Sequence, residues 1–196
     1  MSESTLLSIG HSTHDFERFL DLLSGHHVDV LADVRSSPFS RYAPQFDRTA
    51  LENGIGHAGI KYVFLGRELG GRPVGDEYYD REGHVLYGRV ANSPLFLIGL
   101  ERLRRGMQQY CIAILCSEED PAVCHRALLI GKVLAGQGVR IQHIRGDGTV
   151  QSQRDLLGDT AGVPVVLQLS LIGEQERSGW RSLHPVPRHG NSVSRG

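Results

Sequence analysis

The chain alternates short runs that are apolar at nearly every position with longer runs that are apolar at every third or fourth. "TLLSIG" (5–10) is a short run ending in glycine; Phe16, Phe19, Leu20 and Leu23 then recur on one helical face, with Ser12 or Thr13 placed to cap it. "VDVLADVR" (28–35) is rich in β-formers and is broken by "SSPFS", and "IKYVFL" (60–65) follows a glycine-containing turn. Phe96, Leu100, Leu103 and Met107 mark a second helical face ahead of "YCIAILC" (110–116). A third face, Val123, Ala127, Ile130 and Leu134, closes at Gly136 and Gly138 before "VRIQHI" (139–144). Strand alternating with helix predicts an α/β fold, with a mostly parallel central sheet and helices on both faces in a three-layer, Rossmann-like arrangement.

Residues 1–148 read as one domain, 149–181 as a C-terminal extension in which "VPVVLQLSLI" is the one apolar run, and 182–196 as a disordered tail. Residues 66–94 are rich in glycine and weakly periodic, which suggests a lid or binding loop.

Parallel sheets bind ligands beyond the carboxyl ends of their strands. That rule gathers His11, Asp33, Arg35, Glu68 with Gly70 and Gly71, Cys116, Glu118 and His143 at one edge. Arg35, Arg41 and Arg126, near Ser12, Ser36, Ser37 and Ser40, would make this edge locally positive, suiting a phosphate-bearing or nucleotide-like ligand. The whole chain offers no such field, since 21 Lys and Arg against 22 Asp and Glu leave a formal charge of -1. Each residue also has a plainer reading: Asp33 and Arg35 as an ion pair within a loop, His11 as a satisfied strand-end histidine, Gly70-Gly71 as a turn.

Three cysteines without a C-x-x-C, no basic-then-apolar leader, and no apolar run near the roughly 18 residues that cross a bilayer point to a reduced cytoplasmic protein without a membrane partner. "CSEEDPAVCHRALL" (116–129) concentrates the remaining chemistry. Asp120-Pro121 is a strong helix start, which places Cys124, His125 and Arg126 on the first turns, where an anion would dock. Glu118, Glu119 and Asp120 are expected to raise the pKa of Cys116 and argue against a nucleophile loop. No metal site is assigned, because successive helical residues diverge by about 100° and Cys124 and His125 would face apart. Cys111 best fits an inert core thiol.

"SIGHST", "LADVRSSPFSRYAPQFD", "IKYVFLGRELGG" and "LCSEEDPAVCHRALLI" together resemble a bacterial and archaeal family known as domain of unknown function 488, over roughly Ile9 to Gly146. The family's name supplies no reaction and no cofactor. Its motifs fall on His11, Ser12, Asp33, Arg35, Pro38, Ser40, Arg41, Gly70, Gly71, Cys116, Glu118, Cys124, His125 and Arg126, and the resemblance gives no role to Arg67, Glu68 or residues 147–196.

Three readings follow. The first is an enzyme that binds an anionic small molecule or nucleotide through His11, Ser12, Asp33, Arg35, Ser40, Arg41, Gly70, Gly71 and Arg126, with Cys116, Glu118, Cys124 and His125 as catalytic candidates. The second is a nucleic-acid-binding protein in which Phe39, Tyr42 and Tyr62 stack on bases. The third is a metal-containing structural or interaction module, for which Cys116, Glu118 and a histidine would be the ligands.

Overall fold

The structure is a computed structural model and describes residues 4–158 and 179–187. Five parallel strands, β1 (Thr5–Gly10), β2 (Val30–Asp33), β3 (Lys61–Phe64), β4 (Ile112–Cys116) and β5 (Arg140–Ile144), form a sheet in the order β3-β2-β4-β1-β5. A short sixth strand, β6 (Val150–Ser152), closes one edge antiparallel to β5. The central strands carry apolar residues on both faces, as strands covered on both sides must. Leu7, Ile9, Leu31, Ala113 and Leu115 pack under α1 (Phe16–Gly25) and α2 (Arg48–His57). Leu6, Val30, Ala32, Ile112 and Ile114 pack with the opposite layer. That layer includes three short helices, α3 (Gly66–Leu69), α4 (Tyr87–Ala91) and α6 (Lys132–Ala135), and the longer α5 (Pro94–Met107).

The chain leaves β1 toward one face and β4 toward the other, and these strands are neighbours. Their diverging connections open a crevice at the carboxyl edge, the switch point at which such sheets bind ligands.

Several local expectations change. Asp15, not Ser12 or Thr13, caps α1, accepting from the Arg18 amide at 2.6 Å. Helix α2 has little periodicity to announce it, because only Leu51 and Ile55 are buried and glycines interrupt it. Segment 66–94 contains three short helical pieces and buries Val85, Leu86, Tyr87 and Val90 in the core, so much of it is packing.

His143, expected at the ligand edge, is instead a completely buried brace. Ser8 Oγ lies 2.6 Å from its Nδ1, its Nε2 donates to Gln153 Oε1 at 2.7 Å, and Gln153 Nε2 donates to the Ala127 carbonyl at 2.9 Å. This chain ties β1, β5 and α7 (Gln153–Leu157) together. Burial lowers the pKa of His143 to about 4, and burial lowers that of His11 likewise to about 4. A histidine kept neutral in the fold stabilises it fully above its unfolded pKa of 6.5, and that contribution is lost as pH falls toward 4. Each is expected to withdraw about 2 kcal/mol between pH 7 and pH 5. Urea unfolding at the two pH values measures this, and an unmoved midpoint would contradict it.

Candidate active site

The loop after β4 is held from beneath. Arg126 is completely buried and donates from Nη1 to the Glu118 carbonyl at 2.6 Å and from Nη2 to the Glu119 carbonyl at 2.5 Å. The His11 and Ser12 amides donate to the Cys116 and Ser117 carbonyls at 3.0 and 2.9 Å, so β1 and this loop continue side by side. Gly10 is required by that closeness, since a Cβ there would stand 1.8 Å from the Glu118 carbonyl oxygen. Glu119 and Asp120 turn away to Arg145, at 2.8 and 3.4 Å.

The helix expected from Pro121 does not run through Cys124. Asp120 caps only a 3-10 turn, Pro121–Val123; Cys124 is extended, at φ -113 and ψ 142, and helical structure resumes as a π-turn at Arg126–Gly131. Cys124 and His125 are thus not successive positions of one helix, and the divergence expected between them does not arise. His125 Nδ1 lies 3.7 Å from Cys116 Sγ and 3.8 Å from Cys124 Sγ. Glu118 Oε2 approaches the same two sulfurs at 2.8 and 3.3 Å. On its far side His125 Nε2 donates to the Val34 carbonyl at 3.1 Å, which leaves Nδ1 to the sulfurs. Gly71 makes room for this ring, as a Cβ there would meet Nδ1 at 2.8 Å.

These contacts reverse the expected electrostatics of Cys116. Hydrogen bonding from Cys124 and the facing His125 hold its thiol well below the ordinary range despite burial. Burial and the neighbouring Cys116 charge push Cys124 well above it. Glu118 is raised by burial of its carboxyl and by Cys116, while His125 is raised because the Cys116 charge outweighs its own burial. Of the three acidic loop residues, Glu119 and Asp120 face Arg145 and only Glu118 turns to the sulfurs, accepting from both thiols. Chemically, the cluster is a pair of cysteines between an imidazole and a carboxyl group, or a set of soft ligands around one point.

Cys116, Cys124, His125 and Glu118 form the floor of a cavity of about 350 Å³. Arg35 stands on its wall. The Asp33 carboxylate, fully buried, accepts from Arg35 Nε and Nη2 at 2.9 and 2.6 Å, from the Arg35 amide at 3.0 Å, and from the Tyr62 hydroxyl at 2.8 Å. Arg35 Nη1 is also buried yet finds no acceptor among the described residues. Arg72 lines the wall after Gly71, its amide donating to Ser36 Oγ at 2.9 Å. Phe39, 69% exposed, lines the cavity as well.

The remaining wall comes from residues 179–187. Trp180 Nε1 donates to the Leu128 carbonyl at 2.9 Å and its ring stands edge-on to Tyr87. Arg181 pairs with Asp80 at 2.6 Å, and Ser182 exchanges backbone and side-chain hydrogen bonds with Val85 at 2.9 Å. Ser182, Leu183, His184 and Val186 thereby line the cavity, although the sequence places 182–196 in an unstructured tail. Residues 188–196, and the run "VPVVLQLSLI" with the rest of 159–178, lie outside the described residues.

Of the residues gathered by sequence, Arg35, Ser36, Ser37, Gly71, Cys116, Glu118, Cys124 and His125 meet at this cavity. Asp33 and Arg126 lie behind it as supports. His11 stacks on Phe46 at 4.5 Å, Ser12 bonds to the adjoining loop, and Gly70 packs on Ser36. Ser40 accepts from Ala43 and Arg41 is exposed, neither lining the cavity, and Glu68 pairs with Arg102. Of the cysteines Cys111, not Cys124, is the least buried. Arg72 follows the Gly-Gly pair directly and so had a signal; Tyr87, Ser182 and His184 had none.

Fold and site together define a mostly parallel α/β protein with a cysteine-histidine-glutamate cluster in its switch-point crevice. The chain belongs to the family described as Domain of unknown function DUF488, whose model matches residues 15–133. No curated protein and no solved structure matches the chain. Among the described residues, no helix is long and apolar enough to cross a membrane.

Proposed function

We propose that this protein is an enzyme acting on a small molecule with an anionic, phosphate-like group, bound in the cavity at the strand ends. The observation that carries this reading is Arg35: a guanidinium buried on the cavity wall, pinned by Asp33 on one side, with Nη1 lacking an acceptor among the described residues. A buried charged donor left unpaired is costly, and an anionic oxygen is its natural partner. Arg72 adds a second cation at the same wall, and Phe39 a flat apolar surface for the ligand's remaining part. Cys116, Cys124, Glu118 and His125 are the groups at hand for chemistry. The cytosol is the compartment that keeps both thiols reduced.

Calorimetric titration with phosphate, pyrophosphate and nucleotides tests the reading. Arg72→Ala, and Arg35→Lys, which keeps a charge for Asp33 but loses the forked donors, are each expected to weaken binding about tenfold. Equal binding by all three proteins would refute it.

A second reading has one observation in its favour: Phe39 and Tyr42, 69% and 89% exposed, flank Arg41 on the loop beside the cavity. That combination suits a single-stranded nucleic acid, whereas Tyr62 is bound to Asp33 and does not serve as a stacking surface. An oligonucleotide that binds more tightly than mononucleotides, loses affinity steeply with salt and is released by Tyr42→Ala would favour it.

A further inference from the structure

The cavity floor has a geometry that ligand binding alone does not explain. Cys116, Cys124 and His125 are all buried, and one ligand atom from each lies within 4.8 Å of the others. In a tetrahedral site with metal–sulfur bonds of about 2.3 Å and metal–nitrogen bonds of about 2.0 Å, sulfur and nitrogen ligands stand about 3.5 Å apart. The two sulfur-to-Nδ1 distances here, 3.7 and 3.8 Å, are close to that spacing. A fourth donor is present. Glu118 belongs to an exposed stretch of the loop, yet its Oε2 turns inward to both sulfurs.

Two outer contacts point the same way. His125 donates its Nε2 hydrogen to the Val34 carbonyl, which fixes the tautomer that presents the Nδ1 lone pair, the usual arrangement around a ligating imidazole. The Arg126 amide lies 3.5 Å from Cys124 Sγ and donates to it, a contact that favours the deprotonated sulfur a metal needs. The charges also suit a divalent ion, since two thiolates neutralise it.

We infer that Cys116, Cys124 and His125 bind one zinc ion, with the Glu118 carboxylate as a fourth, exchangeable ligand on the cavity side. Thiolate, imidazole and carboxylate in a four-coordinate arrangement select zinc over magnesium or calcium, which prefer all-oxygen shells. Three protein ligands and a replaceable fourth are the pattern of a catalytic rather than a closed structural zinc, and such an ion would polarise an oxygen of a molecule in the cavity. The inference goes beyond the anion-binding reading and is independent of it, because metal is measured with no ligand present.

The full chain, purified under reducing conditions, is stripped with a chelator, then reloaded with zinc or cobalt(II) and analysed for bound metal. One equivalent per chain is expected, and the cobalt form should show a thiolate-to-metal charge-transfer band with the intense visible bands of a tetrahedral centre. Cys124→Ser and His125→Ala are expected to lower retained metal at least tenfold, Glu118→Gln to keep it with an altered cobalt spectrum, and Cys111→Ser to change nothing. Should the first two variants fail to fold, the cobalt spectrum of the unaltered protein still reports thiolate ligation. A folded protein that takes up no metal after stripping and reloading would overturn the inference, as would full metal retention when Cys116 and Cys124 are both serine. So would a Cys116–Cys124 disulfide whose reduction restores thiols that bind no zinc.

Discussion

Asp33→Ala is expected to destabilise the protein by about 3–5 kcal/mol, because it removes the sole anion from a buried pair and leaves the guanidinium behind. The Asp33 side chain is completely buried and that of Arg35 nearly so, and the carboxylate also holds the Arg35 amide and the Tyr62 hydroxyl. One truncation therefore strands a charge and two further donors. Tyr62 gives an independent readout: burial, together with the Asp33 charge and hydrogen bond, raises its pKa well above the ordinary phenol range. In any Asp33→Ala protein that folds, the Tyr62 pKa should fall. Denaturant unfolding supplies the energy and ultraviolet titration of the phenol the second test; a loss below 1 kcal/mol would show that Arg35 finds another partner.

The second large effect is expected at Arg126. Among the described residues its guanidinium meets no carboxylate, and its two short hydrogen bonds go to backbone carbonyls of the loop that carries Glu118. Arg126→Ala would leave both carbonyls without their donor and open a void where the largest fully buried side chain stood. Each lost bond of this charged kind is worth about 1.5–3 kcal/mol, and relief from burying the charge offsets part of it. A net loss of about 3 kcal/mol is expected in denaturant unfolding, with hydrogen exchange accelerated at residues 117–120 more than in β2 or β3. Arg126→Lys should recover less than half, since an ammonium lacks the fork that spans two successive carbonyls. Uniform exchange across the sheet would mean that Arg126 supports the core and not this loop.

The layer arrangement was legible from the apolar pattern, because β2 and β4 are apolar at successive positions and β1 nearly so, while α1 and α5 carry an apolar stripe. The gathering of Arg35, Cys116 and Glu118 at one edge was legible too, since each lies at or just past the end of a strand in a parallel series. The conformation of Cys124 was not. Asp120-Pro121 is a sound local signal for a helix start, and it does start a turn, but the buried guanidinium two residues past Cys124 and the π-turn that follows alter the path. Local propensity carries no information about a contact from Arg126 back to the Glu118 carbonyl. The surroundings of Cys116 were not legible for a related reason: Glu119 and Asp120 are near it in sequence but face Arg145, which lies beyond the next strand.

The strap at 179–187 separates two things that active sites often draw from one stretch of chain. The cavity floor lies inside the span shared with the family, residues 15–133, whereas Ser182, Leu183, His184 and Val186 lie some fifty residues beyond it. Substitutions at Ser182, Leu183, His184 or Val186 thus change the cavity wall without replacing any residue of its floor. Selection on what enters and selection on what happens at the floor act on different segments of the gene, so descendants of one ancestor are free to share a chemistry and differ in its object.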